Sequence, residues 1–207
     1  MKRGRFITVE GIEGVGKSTN IGFIRRLIEQ AGFDVVVTRE PGGTPLAEQI
    51  RDIVLRTEHD LPSQTEMLLM FAARSANVCT QIRPALDAGS WVLCDRFTDA
   101  TIAYQGYGRG VDIETIMTLA QVVHGDLWPD LTLLLDTPVE TGLGRAAKRS
   151  APDRFESEQL EFFNRVRAGY LELARSERIE LVDASVSLEQ VQQQIAAIIE
   201  PYLGPGQ

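Results

Sequence analysis

Apolar positions recur along the chain in two rhythms. Continuous apolar runs fall at 5–10 (RFITVE), 33–38 (FDVVVT), 91–95 (WVLCD), 131–136 (LTLLLD) and 178–183 (RIELVD). They are short and mostly β-branched or aliphatic, which predicts five buried strands. Between them apolar residues take helical spacing. Ile21, Ile24, Leu27 and Ile28 form one stripe, stopped by Gly32, and Leu46, Ile50, Ile53 and Val54 form another. Residues 62–89 are poor in breakers up to Pro84 and predict a segment that is mostly helix. Residues 115–123 predict a further helix, and Pro138 marks a helix start after the fourth strand. Leu188, Val191, Ile195, Ile198 and Ile199 outline the closing helix. Strands that are apolar throughout, alternating with helices, belong to a parallel sheet covered on both faces. The expected fold is α/β: a three-layer sandwich with a five-stranded parallel sheet, in one domain over residues 1–207. Ligands in such sheets bind beyond the carboxyl ends of the strands. Glu10-Gly11, Arg39-Glu40 and Asp95-Arg96 stand at those ends.

Composition narrows the class. A chain of 207 residues that is 43% hydrophobic supports one core. A net charge of −8 argues against a protein that grips a nucleic-acid polymer along its backbone. No run approaches the ~18 apolar residues of a membrane span. The first apolar run stops at Glu10, too soon for a secretory signal core. Cys79 and Cys94 form no metal-type pair and no disulfide framework, which points to a reducing compartment and a cytoplasmic location.

The chemistry begins at GIEGVGKS, Gly11 to Ser18, which satisfies G-x-x-x-x-G-K-[ST]. It follows a predicted strand and opens a predicted helix, the context that confirms a P-loop. Glycines let backbone N–H groups converge on phosphate oxygens, and the helix N-terminus adds positive potential. The ATP-binding stretch is therefore Gly11, Ile12, Glu13, Gly14, Val15, Gly16, Lys17, Ser18 and Thr19. Lys17 is expected on the β- and γ-phosphates and the Ser18 hydroxyl on Mg²⁺. The chain has no [NT]-K-x-D for guanine and no transporter-type LSGGQ.

A second set of residues suits an acceptor. On a helix, Met70 and Phe71 lie four and three residues before Arg74, so an apolar surface and a guanidinium share a face, fit to stack and hydrogen-bond a flat base. Asp95 and Arg96 end a strand at the ligand edge, Arg96 for a second phosphate and Asp95 for Mg²⁺ through water. Thr98, Thr101, Tyr104 and Gln105 follow with polar groups for a base or sugar. Arg145, Lys148, Arg149 and Arg154 cluster in an otherwise acidic chain. A basic lid at about 145–156 could close over a triphosphate and stabilise moving charge. Plainer readings exist: Phe71 as core, Arg74 as a solvated charge, the basic cluster as a helix end. Taken together, two facing phosphate sites favour phosphoryl transfer between nucleotides. A kinase for another nucleotide or deoxynucleoside, and a non-catalytic P-loop regulator, are the competing readings.

EGIEGVGKST (10–19), TREPGGTPLAEQIR (38–51), LLMFAAR (68–74), DRFTDATIAYQGYGRG (95–110), PDLTLLLD (129–136) and DRFE with FFNRVRAGYLELA (153–174) together resemble the bacterial thymidylate kinases over nearly the whole length. The resemblance implies a P-loop fold with a small mobile lid, transfer from ATP to dTMP in dTTP biosynthesis, Mg²⁺, and a homodimer. It implies that Lys17, Arg96, Arg149 and Glu13 are catalytic. It implies that Arg51 and Arg96 lie at the acceptor phosphate, Arg74, Thr101 and Gln105 at the thymine, and Tyr104 near the sugar. Many members have phenylalanine four residues before the thymine-binding arginine; here Met70 stands there with Phe71 beside it. Met70 is expected over the ring face, with Phe71 the alternative. Glu13, a carboxylate inside an anion cradle, is expected to turn toward the acceptor. There it would accept from the dTMP 3′-hydroxyl or order Mg²⁺-bound water. Gly14, Val15 and Gly16 supply no cation, so the arginines of 145–154 are expected to do so.

Overall fold

A computed structural model describes residues 3–56, 61–148, 154–155 and 158–204. Strand β1 (Phe6–Glu10) leads into helix α1 (Lys17–Gln30), then β2 (Val35–Arg39) and α2 (Pro45–Arg56). Helix α3 (Ser63–Asn77) continues through a π-helical turn, Val78–Ile82, into α4 (Arg83–Asp87). Strand β3 (Trp91–Asp95) precedes α5 (Thr98–Thr101), which widens into a π-helix at Ile102–Gly108. Then come α6 (Ile113–Val123), β4 (Leu131–Asp136), α7 (Val139–Ala146), α8 (Leu160–Leu173), β5 (Ile179–Asp183) and α9 (Leu188–Leu203). The five strands lie in the order β2-β3-β1-β4-β5, all parallel. This is the doubly wound P-loop architecture.

Alternation in β1 divides the core between the two faces of the sheet. Ile7 and Val9 pack with Leu93, Leu131, Leu133, Ile24, Ile28, Ile195 and Ile199. Phe6 points the other way, with Val92 and Cys94, against Val78, Ile82 and Leu86. The same alternation puts Thr8 beside Thr132 on the neighbouring strand, their hydroxyls 2.7 Å apart. Side chains cap helix starts: Thr44 accepts from Ala47 N at 3.1 Å ahead of α2, Asp112 accepts from Thr115 N at 2.9 Å, and Ser187 and Gln190 form a reciprocal capping box.

All five strands fall where the apolar runs predict them; β2 starts two residues late, because Phe33 turns aside to pack on Trp91 with ring centroids 5.0 Å apart. The long helix over 62–89 is present but not uniform. Its π-helical turn lies just ahead of Pro84, which has no N–H to offer the carbonyl four residues back. The α2 stripe is only half buried: Val54 is inside, whereas Leu46 and Ile53 are 57% and 52% exposed. Cys79 is exposed and Cys94 buried, and both are free thiols. Among the described residues no helix is long and apolar enough to cross a membrane.

Candidate active site

The cradle forms where β1 ends and α1 begins. Gly16, at φ 91°, is the cap of α1, and Gly14 has φ 74°, a region open to glycine at little cost. Space makes the same demand. A Cβ on Gly14 would lie 1.9 Å from the Gly142 carbonyl oxygen, and one on Gly142 would lie 2.7 Å from that of Glu13. The loop is thus pressed against α7 glycine to glycine. Lys17 curls back, its Nζ donating to the Gly11 and Ile12 carbonyls at 2.9 Å each. Burial, and then the Arg96 guanidinium, bring its pKa down to about 8.

One cavity joins this cradle to the acceptor residues. Glu13, Gly14, Gly16, Lys17 and Ser18 line one part; Glu40, Pro41, Arg51, Met70, Arg74, Asp95, Arg96, Thr101, Tyr104, Gln105 and Phe155 line the rest. Arg51 on α2 donates to the Pro41 carbonyl at 2.9 Å. Burial and the nearby Arg39 and Arg96 lower its pKa, as expected when cations are gathered for an anion. Arg96 has the left-handed φ of 70° that only a well-braced non-glycine residue keeps. The bracing is visible. Arg96 N donates to the Val9 carbonyl at 3.1 Å, and Phe97 N to Glu10 at 2.7 Å. The guanidinium donates to Glu13 at 2.8 Å and to the Tyr170 hydroxyl at 3.1 Å, and lies 4.6 Å from the Tyr104 ring centroid.

Glu13 therefore faces across the cavity. Besides Arg96 it bonds the Tyr104 hydroxyl, at 2.8 and 2.6 Å to its two oxygens. Behind it, Glu10 accepts from the Tyr170 hydroxyl at 2.7 Å. Burial, and next the Asp99 carboxylate, raise the Glu10 pKa from its ordinary 4.5 to about 8, against the pull of Arg96 and Tyr170.

The base end is built around Arg74, which is almost wholly buried. Its Nε donates to Glu40 at 2.6 Å, and its Nη2 to the Phe97 carbonyl and to Thr101 Oγ1, both at 3.0 Å. Asn77 supports the same carboxylate at 3.3 Å. Burial raises the Glu40 pKa, opposed by Arg74 and Asn77. Nη1 of Arg74 is buried with no partner among the described residues, and Asp95 Oδ1 likewise. A buried donor and a buried acceptor left over on the wall of one cavity are groups that ligands satisfy.

Met70 lines the cavity and Phe71 does not. The expectation of Phe71 at the acceptor is corrected: its ring packs with Met67, Ile102 and Ile116, beneath the Arg74 guanidinium at 4.8 Å. Neighbouring helical residues point about 100° apart, so only one of the pair faces the cavity. Thr98 is also removed: its hydroxyl pairs with His124 Nε2 at 2.8 Å, inside the core. The basic segment divides. Arg145 belongs to α7 and donates to the Ala184 carbonyl at 2.8 Å, away from the cavity. Arg154 donates to the Val54 carbonyl at 2.8 Å and pairs with Glu66. Lys148 is exposed, and Arg149 lies outside the described residues. Thr19 is exposed on the first turn of α1.

Several residues escaped the reading of the sequence. Tyr170 lies on an ordinary apolar face of α8, and nothing local marks it. Phe155 enters the cavity edge-on to Tyr104, with centroids 5.6 Å apart. Glu66 left a signal: it stands four residues before Met70 and eight before Arg74, a carboxylate on the helix face that holds them both.

The parallel sheet, and the P-loop cradle that shares one cavity with a cation-lined wall, define a protein of the P-loop NTPase fold. The chain belongs to the thymidylate kinase family, whose model matches residues 9–195. It is 54% identical over 199 residues to a protein of Pseudomonas putida named thymidylate kinase, covering 95% of each chain. The thymidylate kinase of Alkalilimnicola ehrlichii is 56% identical over 195 residues, covering 92% of this chain and 90% of its own. That of Teredinibacter turnerae is 51% identical over 205 residues, covering 97% and 99%.

Proposed function

We infer that this protein is a nucleoside monophosphate kinase that transfers the γ-phosphoryl group of ATP to dTMP, giving ADP and dTDP. The observation that carries this reading is the continuous cavity with the cradle at one end and the unpartnered Arg74 Nη1 at the other. In the proposed complex the backbone N–H groups of the cradle hold the triphosphate. Lys17 exchanges its two carbonyl partners for phosphate oxygens. Arg51 and Arg96 hold the dTMP phosphate in line with it. Arg74 Nη1 donates to a carbonyl oxygen of the base, whose face lies on Met70, with Thr101 and Gln105 along its edge. Tyr104 fills the space that a 2′-hydroxyl would need, and Glu13 fixes Arg96 and Tyr104 and accepts from the 3′-hydroxyl. Because Arg145 and Arg154 are engaged elsewhere, Lys148 and Arg149 are the lid cations assigned to charge on the transferring group.

The donor set fits Mg²⁺. Asp95 Oδ1 is a buried oxygen without a partner among the described residues, and Ser18 supplies a hydroxyl at the cradle mouth. Mg²⁺ bound there would neutralise charge between the β- and γ-phosphates.

The assigned state is a homodimer. Leu46 and Ile53 of α2, Leu68 of α3, and Met117 and Val122 of α6 are exposed, on helices that pack side by side. Sedimentation should give twice the mass of 22.9 kDa, and Leu68→Arg should shift it toward the monomer. The free thiols Cys79 and Cys94 support a cytoplasmic location.

Product assays with ATP and dTMP, dUMP, dCMP or thymidine test the function. dTMP is expected to be the best acceptor. Preference for dCMP or for unphosphorylated thymidine would replace the reading, and ATP binding without transfer would return a P-loop regulator.

A further inference from the structure

Glu66 has no solvent exposure, yet it belongs to no part of the machinery assigned above. Three side chains donate to its carboxylate. Gln105 Nε2 donates at 2.7 Å from the π-helical segment. Arg109, from the residue that ends that segment, lies at 3.4 Å. Arg154 pairs with its other oxygen. Arg109 is held in turn by Glu158 at 2.6 Å and rests 4.6 Å over the Phe162 ring.

We propose that Glu66 is a specificity-setting positioning residue, which acts on the acceptor base through Gln105. The reasoning is one of hydrogen-bond sign. A carboxylate flanked by two guanidiniums accepts and cannot donate. It therefore requires the NH₂ end of the Gln105 carboxamide and turns the oxygen away. No described residue donates to that oxygen, and Gln105 lines the cavity. The wall consequently offers the base an acceptor at Gln105 and a donor at Arg74 Nη1. A pyrimidine with a ring N–H beside a carbonyl, as in thymine or uracil, matches that pair. Cytosine presents a ring lone pair beside an amino group and opposes it at both points. Without Glu66 the carboxamide is free to turn over and offer NH₂ to the ring nitrogen of cytosine.

The proposal rests on the dTMP kinase reading, and the test separates the two. Glu66→Gln keeps the shape but can donate. Its expected signature is at least a tenfold fall in the ratio of kcat/KM for dTMP to that for dCMP, with KM for ATP within about twofold of wild type. In a Gln105→Ala background Glu66→Gln should change that ratio no further. If removal of the buried charge prevents folding, Glu66→Asp retains it but withdraws the acceptor, and the same loss of selectivity is expected. A wild-type ratio in whichever variant folds, or an equal further loss in the Gln105→Ala background, overturns the proposal. Failure of the wild-type protein to prefer dTMP over dCMP overturns instead the function on which it rests.

Discussion

The phosphate cradle is one stretch of chain, Gly11 to Ser18, in which backbone groups bind and side chains mostly stay out of the way. The acceptor cavity beside it takes Glu40 and Pro41 from beyond β2, Arg51 from α2, Met70 and Arg74 from α3, Asp95 and Arg96 from β3, and Thr101, Tyr104 and Gln105 from the π-helical segment and the turn before it. What constrains the cradle is room. What constrains the cavity is charge: on its wall Arg74 pairs with Glu40 and Arg96 with Glu13, and behind Gln105 the buried Glu66 takes Arg109 and Arg154. The first is damaged by adding an atom and the second by removing a partner.

The sharpest way to break the comparison is Gly14→Ala. One methyl group placed 1.9 Å from the Gly142 carbonyl at φ 74° must displace loop or helix. Misplacement by about 1 Å costs roughly 100-fold or more in turnover. We expect that loss in kcat/KM for ATP, while calorimetry still detects dTMP; an unchanged ATP titration would show that the loop has slack.

Arg74→Met tests the other half. It removes a charged donor from the base, expected to cost about 10- to 100-fold in kcat/KM for dTMP with little change in KM for ATP. It also strands Glu40, which is 3% exposed, with only Asn77 as support. Breaking a buried pair in this way costs about 3–5 kcal/mol of stability, and denaturant titration would read it directly. Near-wild-type stability would mean that Glu40 simply takes up a proton, as its raised pKa allows.

Glu10 joins both halves and makes stability depend on pH. Its pKa is raised from 4.5 in the unfolded chain to about 8 in the fold, so the folded state holds the proton more tightly. Its contribution is complete below about pH 4.5 and is lost as pH rises through about 8. We expect the unfolding free energy of the wild-type protein, read from urea titrations, to fall across that window by up to about a few kcal/mol, and that of Glu10→Gln to be flatter. Parallel curves for the two proteins would rule out Glu10 as the source. The smallest effect expected is that of Tyr104→Phe, which leaves Glu13 with Arg96 alone. A rise in KM for dTMP of less than about tenfold should follow, the worth of one hydrogen bond. A rise of a hundredfold would mean that Tyr104 touches the acceptor through its hydroxyl.

Legibility followed the same division. The strands, the cradle and the ends of β1, β2 and β3 are local patterns, and the fold keeps them. In the acceptor half, residue types were readable but pairings were not. Met70 and Phe71 are adjacent, and only the packing of Phe71 against Ile102 and Ile116 settles which side chain reaches the cavity. Four basic residues close in sequence looked like one lid, yet Arg145 is taken by a carbonyl beyond β5 and Arg154 by Glu66, 88 residues away. Tyr170 meets Glu10 across a separation of 160 residues, and no spacing encodes such a contact.

The sequence by itself determined the parallel sheet and the phosphate loop. Apolar periodicity and glycine geometry act over a few residues and mean the same thing in any chain. Only the tertiary structure decided which carboxylate holds which guanidinium, and which polar atoms remain unpaired. A charge is paired by whatever the fold carries within about 3 Å of it, and that neighbour is chosen by sheet order and helix packing rather than by position along the chain.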